Sequence, residues 1–133
     1  MIPHYGIDSS IFVRLVTAEP EGEFKKTIAL LEKRLLAEPA VEFFVSNQVI
    51  GESYIALQHH YQISKSDARE AMLETLTSGL CTPLNGPSIL AILKAQTGCG
   101  LIDRLIADDY TRHSLRSVTN DKKMAKLPWV ERL

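Results

Sequence analysis

The chain has 133 residues, of which 45% are hydrophobic and 23% charged, and its formal net charge is -1 at pH 7. This is the length of one ordinary domain, so we expect a single domain over residues 1–133 that buries its core without disulfides or a structural metal. The composition excludes a disordered chain, and no segment reaches the roughly 18 apolar residues of a membrane helix.

The N-terminal stretch MIPHYGID lacks the basic and apolar regions of a signal peptide. We therefore expect a cytoplasmic protein with no membrane partner. Cys81 and Cys99 lie in separate stretches without CxxC spacing or nearby histidines, which predicts two buried free thiols and neither a disulfide nor a zinc site.

Strand and helix signals alternate along the first half of the chain. The apolar run YGI predicts a first strand, and SSIFVRLVT after Asp8 has the apolar spacing of a helix. Residues 24–37 form a second amphipathic stretch, which Pro39 ends. VEFFVS is rich in β-branched and aromatic residues and predicts the second strand, and NQVIGESYIALQHHY predicts the helix that follows it.

The alternation continues in the second half. We expect a helix over Ser64–Leu76, with Ser66, Asp67 and Glu70 as its N-terminal capping groups. GLCTPL is short and apolar, Pro87 opens the helix PSILAILKAQT, and GCG breaks it before LIDRLIADDYTRH. RSVT is the last clear strand, and LPWVERL predicts a short strand or a turn. This order predicts an α/β fold, a three-layer α/β/α sandwich with a central parallel sheet.

Four acids lie where such a sheet would form a ligand site, which is beyond the carboxyl ends of its strands. Asp8 follows the first strand and Asp121 the last clear one, whereas Glu52 and Asp103 lie early in their helices. Each alone is ordinarily a cap or a solvated acid of a first helical turn. The apolar neighbours in VIGESYIAL and GLIDRLIA, however, predict that Glu52 and Asp103 lie against the core.

Buried carboxylates that lie close together repel one another unless a cation neutralises them. An acidic cluster with oxygen ligands alone, without His or Cys, favours Mg²⁺ or Mn²⁺ over zinc or copper. The residues themselves therefore predict an acidic, metal-binding pocket on an α/β sheet.

The four segments YGIDSSIF, SNQVIGESYIAL, GLIDRLIA and SVTNDKKMAKL, in this order, resemble the signature segments of the PIN domain, and most closely those of its VapC-type toxins. The resemblance covers essentially the whole chain. It implies a metal-dependent endoribonuclease that cuts RNA and whose metal-binding acids are Asp8, Glu52, Asp103 and Asp121. It also implies a homodimer and a cognate antitoxin, as in type II toxin-antitoxin pairs.

Within this hypothesis, Asp8 and Asp103 are the principal direct ligands of the metal, and Glu52 and Asp121 bind it directly or through water. Further residues beside the acids have supporting roles. Thr119 and Asn120 orient the ligands, and the weaker candidates for RNA contact are Arg14, Arg104, Lys122 and Lys123.

The remaining predictions concern the exposure of two further aspartates and two alternative functions. Asp108 and Asp109 are expected to point away from Asp103 into solvent. One alternative function is a receiver-like phosphoacceptor domain, although the chain lacks the paired acids that a receiver has after its first strand. The other is a PIN-like module that has lost catalysis and only binds a partner.

Overall fold

The computed structural model describes residues 2–133 and has six helices and five short strands, in which each of the first three strands is followed by two helices. The strands are β1 (Tyr5–Gly6), β2 (Phe43–Val45), β3 (Thr82–Pro83), β4 (Ser117–Thr119) and β5 (Val130–Arg132). The helices are α1 (Ser9–Thr17), α2 (Glu21–Ala37), α3 (Asn47–His59), α4 (Lys65–Leu76), α5 (Ser88–Lys94) and α6 (Leu101–Arg112), and a 3-10 turn spans Met124–Lys126.

All strand pairs are parallel, and they form two small sheets. The first sheet has the order β1-β2-β3, with Tyr5 opposite Phe43 and Phe44 opposite Thr82. The second consists of β4 and β5, with Ser117 opposite Val130. The predicted α/β class with parallel strands is therefore confirmed, whereas the described strands of two or three residues do not join into one central sheet.

The helix starts follow from local capping, with one correction to the sequence prediction. The Oγ of Ser64, and not that of Ser66, caps α4 by accepting a hydrogen bond from the N–H of Asp67 at 3.1 Å. Ser64 has the extended backbone (φ -64°, ψ 157°) that an N-cap needs, whereas Ser66 already lies within the helix. The second helix begins at Glu21, three residues earlier than its apolar stripe indicated.

The core lies between the first sheet and the helices that follow its strands. Its largest fully buried side chains include Phe12, Ile50, Leu57, Met72 and Leu93, from α1, α3, α4 and α5. A smaller apolar cluster lies around β5 and the 3-10 turn and contains Cys99, Ala107, Met124 and Val130.

At Gly51, helix α3 packs closely against α6. A Cβ at this position would lie 3.1 Å from Cδ1 of Ile102 and 3.8 Å from Cδ1 of Leu105. Asn47, one turn earlier on α3, contacts α6 further towards its C-terminus, so the contacts run in opposite order along the two helices. This close packing sets the groove in which Glu52 lies.

Two smaller predictions are also tested by the structure. Cys81 and Cys99 are both buried and free, as expected. Among the described residues, no helix is long and apolar enough to cross a membrane.

Candidate functional site

Asp8 joins the end of β1 to the start of α1. Its backbone is extended, and its Oδ1 accepts hydrogen bonds from the Oγ of Ser10 at 2.7 Å and from the N–H of Ile11 at 3.1 Å. The hydrogen bond from Ser10, followed by that from Ile11, lowers the pKa of the Asp8 carboxyl below its ordinary value. The side chain is exposed, so Asp8 is an accessible carboxylate held in its ionised form.

Asp121 lies between the end of β4 and the 3-10 turn, as Asp8 lies between β1 and α1. Its Oδ1 accepts hydrogen bonds from the N–H groups of Lys123 at 2.7 Å and Met124 at 2.8 Å. The Oγ1 of Thr119 in turn accepts one from the N–H of Asp121 at 3.0 Å, and this fixes the backbone that carries the carboxylate. Asn120, between them, is exposed, as is Asp121 itself.

Glu52 and Asp103 differ from each other in burial. Asp103 lies in the first turn of α6 and is half-buried, whereas Glu52 is exposed. The prediction that Glu52 lies against the core is therefore wrong. The buried neighbours on α3 are Gly51 and Ser53, and successive residues of a helix point about 100° apart, so Glu52 is turned out towards solvent.

The groove between α3 and α6 contains one of the four predicted acids. It has a volume of about 440 Å³, and Glu52 and Asp109 lie along apolar walls formed by residues such as Ile55, Ile102 and Ile106. Asp8, Asp103 and Asp121 do not line it.

Whether the four acids fit a metal ion depends on their chemistry and on their spacing. The chemistry fits, because all four are carboxylates, and the hydrogen bonds that the carboxylates of Asp8 and Asp121 accept within residues 2–133 all go to Oδ1, leaving Oδ2 of each without a protein donor. The spacing does not, because among residues 2–133 no three His, Cys, Asp or Glu side chains lie close enough to hold one ion.

A polar cluster that the sequence analysis missed lies beside the groove. The Nδ2 of Asn47 donates to Leu105 O, Asp108 Oδ2 and Asp109 Oδ1, each at 3.0 Å. The Nδ2 of Asn85 donates to the same two carboxylates at 2.9 and 2.8 Å. The side chain of Asp108 is only 11% exposed, with Arg112 Nε 3.7 Å from its Oδ1.

The expectation that Asp108 and Asp109 are solvated is therefore wrong for Asp108, and both carboxylates are bound by amides. Asn47 and Asn85 each follow the carboxyl end of a strand by two residues, in VSN and PLN. Amides at the ends of two neighbouring strands were the signal in the sequence that could have revealed this cluster.

The four basic candidates fall into two groups. Arg104 has a structural role, because its guanidinium donates to the carbonyl oxygens of Thr97 and Cys99 and closes the turn before α6. Lys122 and Lys123 are exposed, and Arg14 is half-buried on α1, where its guanidinium has no hydrogen bond or ion pair to residues 2–133. Only these last three are free to contact a ligand.

Comparison of the chain with protein-family models, curated proteins and solved structures finds no match. The likeness to PIN domains therefore stays a prediction from the four sequence segments.

Proposed function

We propose that the chain is a metal-dependent endoribonuclease of the PIN type, which hydrolyses RNA phosphodiester bonds, and that it is the toxin of a type II toxin-antitoxin pair. One structural observation carries most of the support. Asp8 and Asp121 each lie two residues beyond the carboxyl end of a parallel strand, are exposed, and keep one carboxylate oxygen without a protein donor. Carboxylates at the carboxyl ends of parallel strands are where α/β folds bind their ligands.

The proposal includes one central sheet between two layers of helices, in place of two separate small sheets. A three-layer α/β/α sandwich requires that the β1-β2-β3 sheet and the β4-β5 sheet join along an edge. It also requires that Glu52 and Asp103 move their carboxylates towards those of Asp8 and Asp121.

Mg²⁺ or Mn²⁺, held by Asp8 and Asp103 with help from Glu52 and Asp121, would supply an activated water and stabilise the charge on the phosphoryl oxygens. The protein residues have their own tasks. The hydrogen bond from Ser10 lowers the pKa of the Asp8 carboxyl, and Thr119 holds the backbone of Asp121 in place. Their hydrogen bonds leave the second oxygen of each acid free to bind.

The partners follow from the same proposal. RNA is the substrate, a cognate antitoxin is the inhibitor, the active form is a homodimer, and the protein acts in the cytoplasm. Lys122 and Lys123 are exposed next to Asp121 and would reduce the repulsion between an acidic site and the RNA backbone.

Cleavage of a total RNA pool by purified protein tests the proposal. We expect fragments with Mg²⁺ or Mn²⁺, none with EDTA, and none from the Asp8→Asn variant. Asp67→Asn is the matched control, since Asp67 is an exposed acid in the first turn of α4 outside the candidate site, and it should cut as the parent does. If inhibitor-free protein cuts nothing with any metal, the chain is not a nuclease.

A binding module without catalysis is the second candidate. It is favoured by the spacing of the acids, since within residues 2–133 no three of them lie within reach of one ion. Such a module would bind RNA or a protein partner equally well with EDTA and with Mg²⁺, and the Asp8→Asn variant would bind as the parent does.

A further inference from the structure

A second cavity lies next to Asp8, and none of the four candidate acids lines it. It has a volume of about 350 Å³ and is formed by both ends of α1, the turn before α2 and the end of α3. Its polar wall residues are Ser9, Ser10, Arg14, Glu19, His60 and Tyr61. This volume lies in the range of small-molecule sites, which is about 300 to 1,000 Å³.

Arg14 is the unusual residue of this wall. Three arginines of the chain are half-buried. Arg69 donates to the carbonyl of Ala95 and Arg104 to those of Thr97 and Cys99. Arg14 is the one of the three whose guanidinium has no hydrogen bond or ion pair within residues 2–133. A partly desolvated guanidinium gains most from an anion that presents two oxygens to its planar fork of N–H donors, such as a phosphate or a carboxylate.

The other groups on the wall decide between these anions. His60 and Tyr61 are exposed, with 38% of Tyr61 accessible, and both have ring faces on which a base can stack. Glu19 is the one carboxylate on the wall, and it lies more than 4 Å from the guanidinium of Arg14, so it does not neutralise that charge. A guanidinium, an imidazole and a phenol around one cavity fit a phosphate with an adjoining base better than a carboxylate.

Ser10 connects this cavity to the candidate nuclease site. It lines the cavity, and its Oγ donates to Asp8 Oδ1 at 2.7 Å. A nucleic-acid strand in the cavity would therefore pass directly beside the Asp8 carboxylate.

We propose that this cavity is a nucleotide subsite for single-stranded RNA, in which Arg14 binds a phosphodiester group and Tyr61 stacks on the neighbouring base. The inference rests on the proposed nuclease function, because it supplies the strand that Asp8 would act on. His60 and Ser9 line the same cavity as Arg14 and can donate further hydrogen bonds to the phosphodiester group.

The test is the binding of a short, fluorescently labelled single-stranded RNA, followed by anisotropy in Mg²⁺. The Asp8→Asn variant serves as the parent, so that the probe stays intact. Adding Arg14→Gln should weaken binding about five- to tenfold. It should also reduce the slope of the logarithm of the binding constant against the logarithm of the salt concentration by about 0.7, the value for one phosphate contact on a single strand. Tyr61→Leu should weaken it about fivefold or more, whereas Tyr61→Phe should bind like the parent.

Lys33→Gln is the control for charge, because Lys33 is exposed on α2 and lines neither cavity. An equal loss with Lys33→Gln, unchanged binding with Arg14→Gln, or no RNA binding by the parent would overturn the inference. Single-stranded DNA of the same sequence identifies the source of the phosphate, and DNA bound as tightly as RNA would overturn the assignment to RNA.

Cleavage by the protein with Asp8 intact separates this inference from the proposed function. If that protein cuts RNA but Arg14→Gln and Tyr61→Leu leave binding unchanged, the subsite is wrong and the nuclease stands. If binding depends on both residues but no metal gives cleavage, the subsite stands and the nuclease is wrong.

Discussion

Replacement of Asp8 by alanine and by asparagine separates its role in the helix cap from its proposed role in catalysis. Asp8→Ala removes the oxygen that accepts hydrogen bonds from Ser10 and Ile11 at the start of α1. Loss of such an N-cap lowers the free energy of unfolding by about 1 kcal/mol, within a range of roughly 0.5 to 2 kcal/mol. Asp8→Asn keeps a side-chain oxygen and an equally good cap, so its loss should be about 0.5 kcal/mol or less.

Urea denaturation followed by circular dichroism measures both losses, and the pH dependence gives a second check. The pKa of Asp8 is lowered in the folded protein, so its charge stabilises the fold above the ordinary pKa of an aspartate. That stabilisation is lost as the pH falls through the lower folded-state value. The difference between the wild type and Asp8→Asn should therefore shrink on acidification.

Two results would refute this reasoning. One is an Asp8→Ala variant as stable as the wild type, which would mean that the cap does not form. The other is an Asp8→Asn variant as unstable as Asp8→Ala, which would mean that the charge stabilises α1 and the hydrogen bonds do not. Under the proposed function both variants lose RNA cleavage, although only Asp8→Ala loses the cap.

Three further predictions concern packing and burial. Gly51→Ala should stabilise α3 by about 1 kcal/mol through helix propensity once Ile102→Val has removed the Cδ1 atom 3.1 Å from the new methyl group. Urea denaturation measures this. If Gly51→Ala stabilised the protein with Ile102 intact as much as it does in the Ile102→Val background, α3 and α6 would not be in contact at Gly51. Asn47→Ala should lower the free energy of unfolding by about 1–3 kcal/mol, because it leaves the carboxylate of Asp108 short of a hydrogen-bond donor. An unchanged midpoint of urea denaturation would disprove that contact. Burial raises the pKa of the Cys81 thiol to about 11, so at pH 8 only roughly 0.1% is thiolate, and native protein should react with a thiol reagent far more slowly at Cys81 than unfolded protein does. Rapid labelling of native Cys81, located by peptide mapping, would contradict this.

The sequence predicted the order of the elements because hydrophobic periodicity and turn residues are local properties. The strand before Asp8, the helix after it and the parallel pairing of the first strands all follow from such patterns. The capping serine of α4 was predicted two residues too late, at Ser66 instead of Ser64, because both serines near the helix start are equally good caps by type and only the backbone conformation selects one.

Side-chain burial around the helices was predicted less well, because it depends on which face packs against a distant segment. Glu52 has apolar neighbours in sequence, yet Gly51 and Ser53 face the core. Asp108 is nearly buried because Asn47 and Asn85, from two other parts of the chain, bind its carboxylate. Such contacts join residues far apart in sequence, and periodicity carries no information about them.

Asp8 and Asp121 show how one aspartate can be both a helix cap and a candidate metal ligand. Asp8 and Asp121 are caps, as the ordinary interpretation of an aspartate after a strand requires. Each cap uses Oδ1 alone, so a second role for the other oxygen remains open. The proposed metal site therefore depends on where the carboxylates of Glu52 and Asp103 lie when a cation is present.

Anomalous diffraction from crystals grown with Mn²⁺ measures this most directly. The proposal predicts an anomalous peak bound by carboxylate oxygens of Asp8 and Asp103, with Glu52 and Asp121 in contact directly or through water. A map from crystals grown in saturating Mn²⁺ that has no anomalous peak at these four residues, or has one only at Asp108 and Asp109, would contradict the proposed site.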